Sequence, residues 1–203
     1  MRRFHTLDAV AAPMAAANVD TDQIIPARFL RKPRDSGYAA FLFHDLRFDG
    51  GGAERPSFIL NQPAYRDARI LIGERNFGCG SSRENAVYAL WDFGFRAVIA
   101  PSFGDIFFNN CLKNGLLPVA LSPAQVAALR AEVEERPGAH VIVNLKRQQV
   151  VAPSGAIYGF DIDAFRRHCL LQGVDEIEFT LGHADEIAAF ERREAEELPW
   201  LTV

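Results

Sequence analysis

The alternation of predicted elements between residues 69 and 136 is the feature that most constrains the fold. Three continuous apolar runs predict buried strands, at 69–73, 97–100 and 116–121. Each run is followed by a stretch that predicts a helix, at 81–93, 102–114 and 123–135. Ser122 and the proline after it are typical of the start of the last helix. This order predicts an α/β domain whose strands pair in parallel through right-handed crossovers.

The rest of the chain predicts smaller elements around this unit. Short apolar segments joined by turns predict a hairpin and a further strand, at 141–145, 149–151 and 156–160. Helices are predicted at 38–48, after the polar start at 34–37, at 163–171 and at 185–197. The last of these lies in a segment with nine acidic residues and two arginines. We therefore expect one domain over residues 1–173 with an acidic helical C-terminal extension over residues 174–203.

Composition and charge exclude several classes of protein. Hydrophobic residues make up 49% and charged residues 24% of the chain, as in ordinary globular domains. No apolar run has membrane-spanning length, and the alanine-rich run at 9–17 is too weakly hydrophobic for a signal peptide. The basic excess outside the extension is slight, which fits a small anionic substrate and disfavours nucleic-acid binding. The three cysteines, Cys79, Cys111 and Cys169, are odd in number and far apart, so a reducing cytoplasm is expected.

The loop at 73–85 is the most informative segment. Gly78 and Gly80 allow the backbone to approach a ligand closely, and Ser81 and Ser82 are predicted to cap the following helix. A helix start attracts anions, and Arg83 can bind a carboxylate through two parallel hydrogen bonds. The loop therefore predicts an anion-binding helix start. The alternative is an ordinary capped helix with Arg83 in a surface ion pair.

The loop fits none of three common motifs. A P-loop needs lysine where Cys79 follows the correctly spaced Gly73 and Gly78. A dinucleotide-binding loop needs a third glycine where Arg83 stands. Neither serine of the loop has the flanking glycines of a nucleophile elbow. Nucleotide-binding and serine-hydrolase functions are therefore disfavoured.

A second unusual stretch lies at 18–31. Asp20 and Asp22 flank a threonine, and Arg28 and Arg31 follow at a spacing that could place both on one face of a helical turn. Acidic side chains can orient arginines, and arginines can bind carboxylates. Two carboxylates alone make a poor metal site, and an Asx turn before a helix is the simpler alternative.

Three stretches together resemble the swivelling domain of the aconitase superfamily. They are NVDTDQIIP at 18–26, NFGCGSSRE at 76–84 and PSFGDIF at 101–107. Within the superfamily, the chain resembles the family of 3-isopropylmalate dehydratase small subunits over nearly its whole length. The resemblance implies an α/β fold of the β/β/α swivelling type, similar to the aconitase C-terminal domain.

The resemblance also implies a reaction, a partner and a cofactor. The reaction is a reversible dehydration in leucine biosynthesis that moves a hydroxyl between C2 and C3 of isopropylmalate, through isopropylmaleate. The partner is the large subunit of 3-isopropylmalate dehydratase. That subunit is expected to carry a [4Fe–4S] cluster, which acts as a Lewis acid on the leaving hydroxyl. No metal or cofactor is expected on this chain.

The resemblance carries over to individual site residues. Ser81 matches the family's serine base, whose alkoxide needs N–H groups and positive charge nearby. Asp22 matches an active-site aspartate that is expected to orient an arginine or another polar neighbour. The residues expected to contact substrate carboxylates are Ser82, Arg83, Arg28 and Arg31.

Several alternatives stay open at this point. A small subunit of the same type could act on citramalate or homoaconitate, and the loop after Ile25 would decide between these diacids. A non-catalytic binding module could keep the same fold, although capping and folding need only some of the matched polar residues. Cys79 could ligate a cluster. We interpret it instead as a small thiol near the site, because the cysteines show no C-x-x-C spacing.

Overall fold

A seven-stranded sheet organises the chain in a computed structural model that describes residues 1–198 and residue 200. In chain order the strands are β1 Thr6–Pro13, β2 Ile70–Ile72, β3 Ala97–Ala100, β4 Leu117–Ala120, β5 His140–Asn144, β6 Gln149–Val151 and β7 Ile157–Gly159. Their order across the sheet is β4-β3-β2-β1-β5-β6-β7. The first four strands are parallel to one another, and the last three form an antiparallel meander.

Helices connect and flank these strands. They are α1 Thr21–Ile24, α2 His44–Arg47, α3 Glu84–Phe93, α4 Asp105–Lys113, α5 Pro123–Glu135, α6 Ala164–Gln172, α7 Glu176–Leu181 and α8 Ala184–Glu197. Short 3-10 turns occur at Ala27–Phe29, Arg34–Ser36, Tyr38–Phe41, Ile59–Asn61 and Pro63–Tyr65. No helix among the described residues is both long and apolar enough to cross a lipid bilayer.

The parallel half confirms the predicted alternation. All residues of β2 and β3 are fully buried, as expected for strands covered on both faces. Pro118 is tolerated because β4 lies at the edge of the sheet, where one side needs no ladder hydrogen bonds. Ser122 and Gln125 form a reciprocal capping box at the start of α5. The predicted hairpin and the third strand of the meander are confirmed as well.

Strand β1 was not predicted from the sequence, and it joins the two halves of the sheet. It pairs in parallel with β2, with Ala12 opposite Leu71, and antiparallel with β5, with Ala9 opposite Val141. Ala11 and Ala12 are fully buried. Alanine has little intrinsic preference for strands, so the conformation of this segment depends on partners far away in the chain.

Three predicted helices differ from the structure. The helix predicted at 38–48 is divided into a 3-10 turn and α2, because the buried Phe43 between them has a φ of +47°. Helices α3 and α4 begin three residues later than predicted, at Glu84 and Asp105. The residues before them are held in loops by hydrogen bonds between neighbouring segments.

The acidic C-terminal segment forms two helices. Phe179 of α7 packs edge-on against Phe165 of α6, and Arg166 pairs with Glu176 across the same contact. Neither α7 nor α8 has a buried residue. The first helix of this segment is therefore attached to the body by these side-chain contacts with α6, and both helices are largely exposed to solvent.

Candidate active site

Three loops meet at one edge of the sheet. Strands β1, β2 and β3 are parallel, so their carboxyl ends lie together. The loops that follow them contain the motifs at 18–26, 76–84 and 101–107. Ligands in open parallel sheets bind outside the carboxyl ends of the strands. The three motifs are therefore placed where a binding site is expected.

Backbone hydrogen bonds hold the loop after β2 between the other two loops. On one side, Gly78 N–H donates to the Val19 carbonyl at 2.7 Å, and Thr21 N–H donates to the Cys79 carbonyl at 2.9 Å. On the other side, Gly104 N–H donates to the Phe77 carbonyl at 2.9 Å. Isolated β-bridges, Asp20 with Cys79 and Phe77 with Phe103, run through the same contacts. The loop thus extends the sheet by a few residues and is fixed on both sides.

Close backbone packing explains two glycines of this region. Gly78 has a φ of +71°, and a Cβ atom there would overlap the ring of Phe107. A Cβ atom on Gly104 would lie 2.6 Å from the Gly78 carbonyl oxygen. Side chains at either position would separate the loop after β2 from the start of α4.

Thr21 links the first loop to Ser81, a role that the sequence did not reveal. Its side chain is 1% exposed, and its hydroxyl donates to the Ser81 carbonyl at 2.9 Å. The neighbouring Asp20 carboxylate caps α1 by accepting a hydrogen bond from Gln23 N–H at 2.7 Å. In return, the Asp20 backbone N–H donates to Oε1 of the Gln23 side chain at 3.0 Å. The Asp20 carboxylate therefore caps a helix, which agrees with the alternative interpretation of this stretch as an Asx turn before a helix.

Replacing Thr21 by valine is expected to lower the free energy of unfolding by about 1–2 kcal/mol, because the Ser81 carbonyl loses its donor. Urea denaturation measures this change. Thr180→Val is the matched control, since the Thr180 hydroxyl also donates to a carbonyl but is exposed on α7. Equal and small effects in both variants would contradict a role for Thr21 in fixing the loop.

Asp22 and Arg83 form an ion pair across the two loops. Arg83 occupies the N-cap position of α3 with extended backbone angles, and its side chain is only 15% exposed. The Asp22 side chain is 53% exposed. The Asp22 carboxylate orients the Arg83 guanidinium group. The other N–H groups of Arg83 remain available to bind a ligand.

A cavity of about 310 Å³ lies beside Ser81. The loop residues Asn76 and Cys79 line one side, and the first turn of α4, from Asp105 to Phe107, lines another. Gly104 provides no side-chain cap, so the first backbone N–H groups of α4 have no acceptor among the described residues. The positive end of the helix dipole therefore faces the cavity, with the exposed Asp105 carboxylate beside it.

The predicted capping by the two serines is wrong. Helix α3 starts at Glu84, and its N-cap residue Arg83 makes no side-chain cap bond. Both serines are exposed, and the Ser81 hydroxyl makes no hydrogen bond within the described part of the chain. The helix start that borders the cavity with Ser81 belongs to α4, which lies more than twenty residues further along the chain.

Among the candidate residues, Ser81 lines this cavity, whereas Asp22, Arg83 and Ser82 do not. Arg31 is exposed. Arg28 pairs with Asp45, contacts His44 at 3.1 Å and lines a separate cavity of about 340 Å³. The Arg28 hydrogen bond lowers the pKa of Asp45 to about 2. A role for Ser82, Arg28 and Arg31 in substrate binding stays a prediction.

The described residues do not fit a metal or an iron–sulfur cluster. No group of three or more His, Cys, Asp or Glu side chains is placed to bind a metal in the part of the chain that the structure describes. Cys79 is partly exposed near the cavity, whereas Cys111 and Cys169 are buried in helices. Burial raises the pKa of the Cys111 thiol well above its usual range, which disfavours the thiolate that a cluster needs.

Comparison with known families gives a consistent result along the chain. The profile described as "Aconitase C-terminal domain" matches residues 1–124. The profile described as LeuD_N matches residues 127–164. A third profile, which describes the C-terminal domain of 3-isopropylmalate dehydratase small subunits, matches residues 176–202.

Curated relatives match over nearly their full length. The 3-isopropylmalate dehydratase small subunit of Jannaschia sp. is 53% identical, over 99% of this chain and 100% of the relative. That of Leptospira interrogans is 51% identical, over 99% and 98%. The crystal structure of 3-isopropylmalate dehydratase from Methanocaldococcus jannaschii is similar with a TM-score of 0.64 and 24% identity, over 92% of this chain and 99% of that one. The expected fold of the aconitase C-terminal type is confirmed.

Proposed function

Because the chain belongs to the family of 3-isopropylmalate dehydratase small subunits, we propose that it is the small subunit of a hydro-lyase of leucine biosynthesis. With a large subunit, it interconverts 2-isopropylmalate and 3-isopropylmalate through isopropylmaleate. The observation that supports this role best is the site itself. An oriented arginine and an unpaired serine hydroxyl occupy one loop beside a helix start.

Arg83 is proposed to bind a carboxylate of the substrate. The substrate is a dicarboxylate, and a guanidinium matches a carboxylate with two parallel hydrogen bonds. Asp22 contacts Arg83 from the neighbouring loop and limits the orientations that its side chain can adopt. Ser82 precedes Arg83 directly, and its exposed hydroxyl can add a further bond to the same carboxylate.

Ser81 is proposed to accept the proton that the dehydration removes. A serine hydroxyl is a poor base, so its alkoxide must be stabilised by its surroundings. The uncapped N–H groups of α4 line the same cavity and supply positive potential. In this way the first turn of α4 supplies the N–H groups that were expected from α3.

The large subunit is proposed to complete the site. The cavity beside Ser81 is open to solvent, and dehydration requires a wall that excludes water and binds the rest of the substrate. A [4Fe–4S] cluster, if the enzyme has one, belongs to that subunit, because the described residues of this chain do not fit it.

Two further proposals concern the chain as a whole. We propose that residues 174–203 extend the domain formed by residues 1–173, which the packing of α7 on α6 supports. We propose the cytoplasm as the location, which the three free thiols support because a reducing compartment keeps cysteines unpaired.

Replacing Arg83 by lysine is expected to lower kcat/KM by roughly ten- to a hundredfold, mainly through a higher KM. Lysine keeps the charge but loses the planar pair of donors. Steady-state kinetics of the assembled enzyme measures the effect. Arg147→Lys, at an exposed turn position, is the control. If KM and kcat are both unchanged, Arg83 has only a structural role.

Reconstitution with the large subunit tests the proposed function. The two subunits are mixed without oxygen, each of isopropylmalate, citramalate and homoaconitate is offered, and the unsaturated intermediate is followed by ultraviolet absorbance. Activity that appears only in the mixture and is highest with isopropylmalate supports the proposal. Higher activity with another diacid would change the substrate, and no activity with a competent large subunit would favour a non-catalytic module.

A further inference from the structure

Another polar cavity lies at the opposite edge of the sheet. Arg69 immediately precedes β2, Arg96 immediately precedes β3, and Arg2 precedes β1. These strands are parallel, so the three arginines mark the edge opposite the candidate active site. Together with Trp91 they line a cavity of about 160 Å³. None of the motifs that indicate the dehydratase family lies here.

The arginines of this cavity lack carboxylate partners. Seven other arginines lie within 4.0 Å of an acidic side chain, namely Arg28, Arg34, Arg66, Arg83, Arg130, Arg136 and Arg166. Within the described residues, Arg2, Arg69 and Arg96 have no such neighbour. Nine further arginines also have no acidic side chain within this distance among the described residues, so the feature that distinguishes Arg2, Arg69 and Arg96 is that they line one cavity together. The cluster therefore carries positive charge that the fold leaves uncompensated.

Arg96 is fixed at the base of this cluster. Its guanidinium lies 3.7 Å from the centre of the Trp91 ring and donates to the Trp91 and Phe95 carbonyls at 2.8 and 2.6 Å. Its buried Nε has no hydrogen-bond partner among the described residues. Burial, together with the charges of Arg69 and Arg2, lowers the pKa of Arg96 to about 10.

Nearby carboxylates have only a weak influence on the charge of Arg96. Asp92 is the acidic group that acts on Arg96, but its carboxylate already accepts from Arg34 at 2.5 and 2.8 Å. Arg3 also lines the cavity, with its Nε donating to the Gln172 carbonyl at 3.0 Å. An anion between the guanidinium groups would therefore reduce their mutual repulsion without displacing an internal ion pair.

We propose that this cavity is a binding site for a small oxyanion, a phosphate group or a carboxylate, which contacts Arg2, Arg69 and Arg96. Its volume lies below the about 300–1,000 Å³ of pockets for drug-sized ligands, so a single compact anionic group fits best. The concave shape favours a small ligand over an acidic side chain of a partner protein. This site is independent of the proposed dehydratase function.

Titration calorimetry of the full chain with inorganic phosphate, at constant ionic strength adjusted with chloride, tests the proposal. Saturable binding at one site is expected, and Arg69→Gln is expected to weaken it by about tenfold. The Arg69 side chain is exposed and makes no hydrogen bond within the described residues, so the variant keeps the fold. Arg147→Gln removes the same charge at an exposed position elsewhere and should bind phosphate normally.

Trp91 provides a second readout. The chain has two tryptophans, and Trp200→Phe leaves Trp91 as the sole reporter. Phosphate should change its fluorescence along the same saturation curve, and a titration with malonate shows whether carboxylates bind as well. The absence of saturable binding, or equal weakening in both glutamine variants, would overturn the proposal. Loss of phosphate binding when the large subunit is added would overturn it in favour of an interface for that subunit.

Discussion

Replacement of Ser81 by alanine is expected to lower kcat of the assembled enzyme by roughly a hundred- to ten-thousandfold, the range for a lost general base. The side chain is exposed, and its hydroxyl makes no hydrogen bond within the described residues, so stability should change by less than about 0.5 kcal/mol. Single-turnover kinetics, which separate chemistry from product release, measure the loss. KM should change little, because Arg83 and Asp22 remain in place.

The control for this variant is Ser57→Ala. It removes the hydroxyl of another exposed serine, which is distant in sequence from the loop at 73–85. It should leave both kcat and stability unchanged. The base assignment fails if Ser81→Ala turns over at a rate near that of the unmodified enzyme. A variant that no longer assembles with the large subunit is recognised by size-exclusion chromatography, and Ser81→Cys then tests the same atom with a side chain of similar size.

Gly78→Ala is expected to have the largest effect on stability, lowering the free energy of unfolding by about 2–4 kcal/mol. A positive φ costs about 1 kcal/mol for a residue with a Cβ atom, and overpacking against Phe107 adds about 1–3 kcal/mol. The loop can relieve the overlap only by moving away from α4, which also displaces Ser81. Urea denaturation of the full chain measures the change.

Gly50→Ala is the matched control for this substitution. Gly50 has no positive φ, and a Cβ atom there would meet nothing within 4 Å. Alanine at this position should be neutral or slightly stabilising, because it reduces the entropy of the unfolded chain. Identical unfolding midpoints for the two variants would contradict the close packing of Gly78 on α4.

The sequence was sufficient where local patterns determine structure. Apolar runs predicted β2 and β3, whose residues are buried on both faces, and Ser122 predicted the start of α5. It failed for β1 because an alanine-rich segment has no strong local preference and becomes a strand through β2 and β5. Helix starts were also misplaced where hydrogen bonds between distant loops compete with helix formation.

The site was predictable in its residue types and less so in its geometry. The glycines and Arg83 are visible as a pattern because they are close in sequence. The bond from Thr21 to the Ser81 carbonyl joins residues 60 positions apart, and no local signal reveals it. The same applies to the first turn of α4, which approaches Ser81 only after the parallel strands have paired.

The position of β1 has a consequence for how the chain folds during its synthesis. This strand is made first, yet its antiparallel partner β5 emerges only after residue 140. Until then, one side of β1 presents unpaired backbone groups that can pair with other nascent chains. Contacts of such long sequence separation also form slowly. We therefore expect chain fragments that end before β5 to aggregate. Once β5, β6 and β7 have formed, β5 pairs with the free edge of β1 and the sheet is complete.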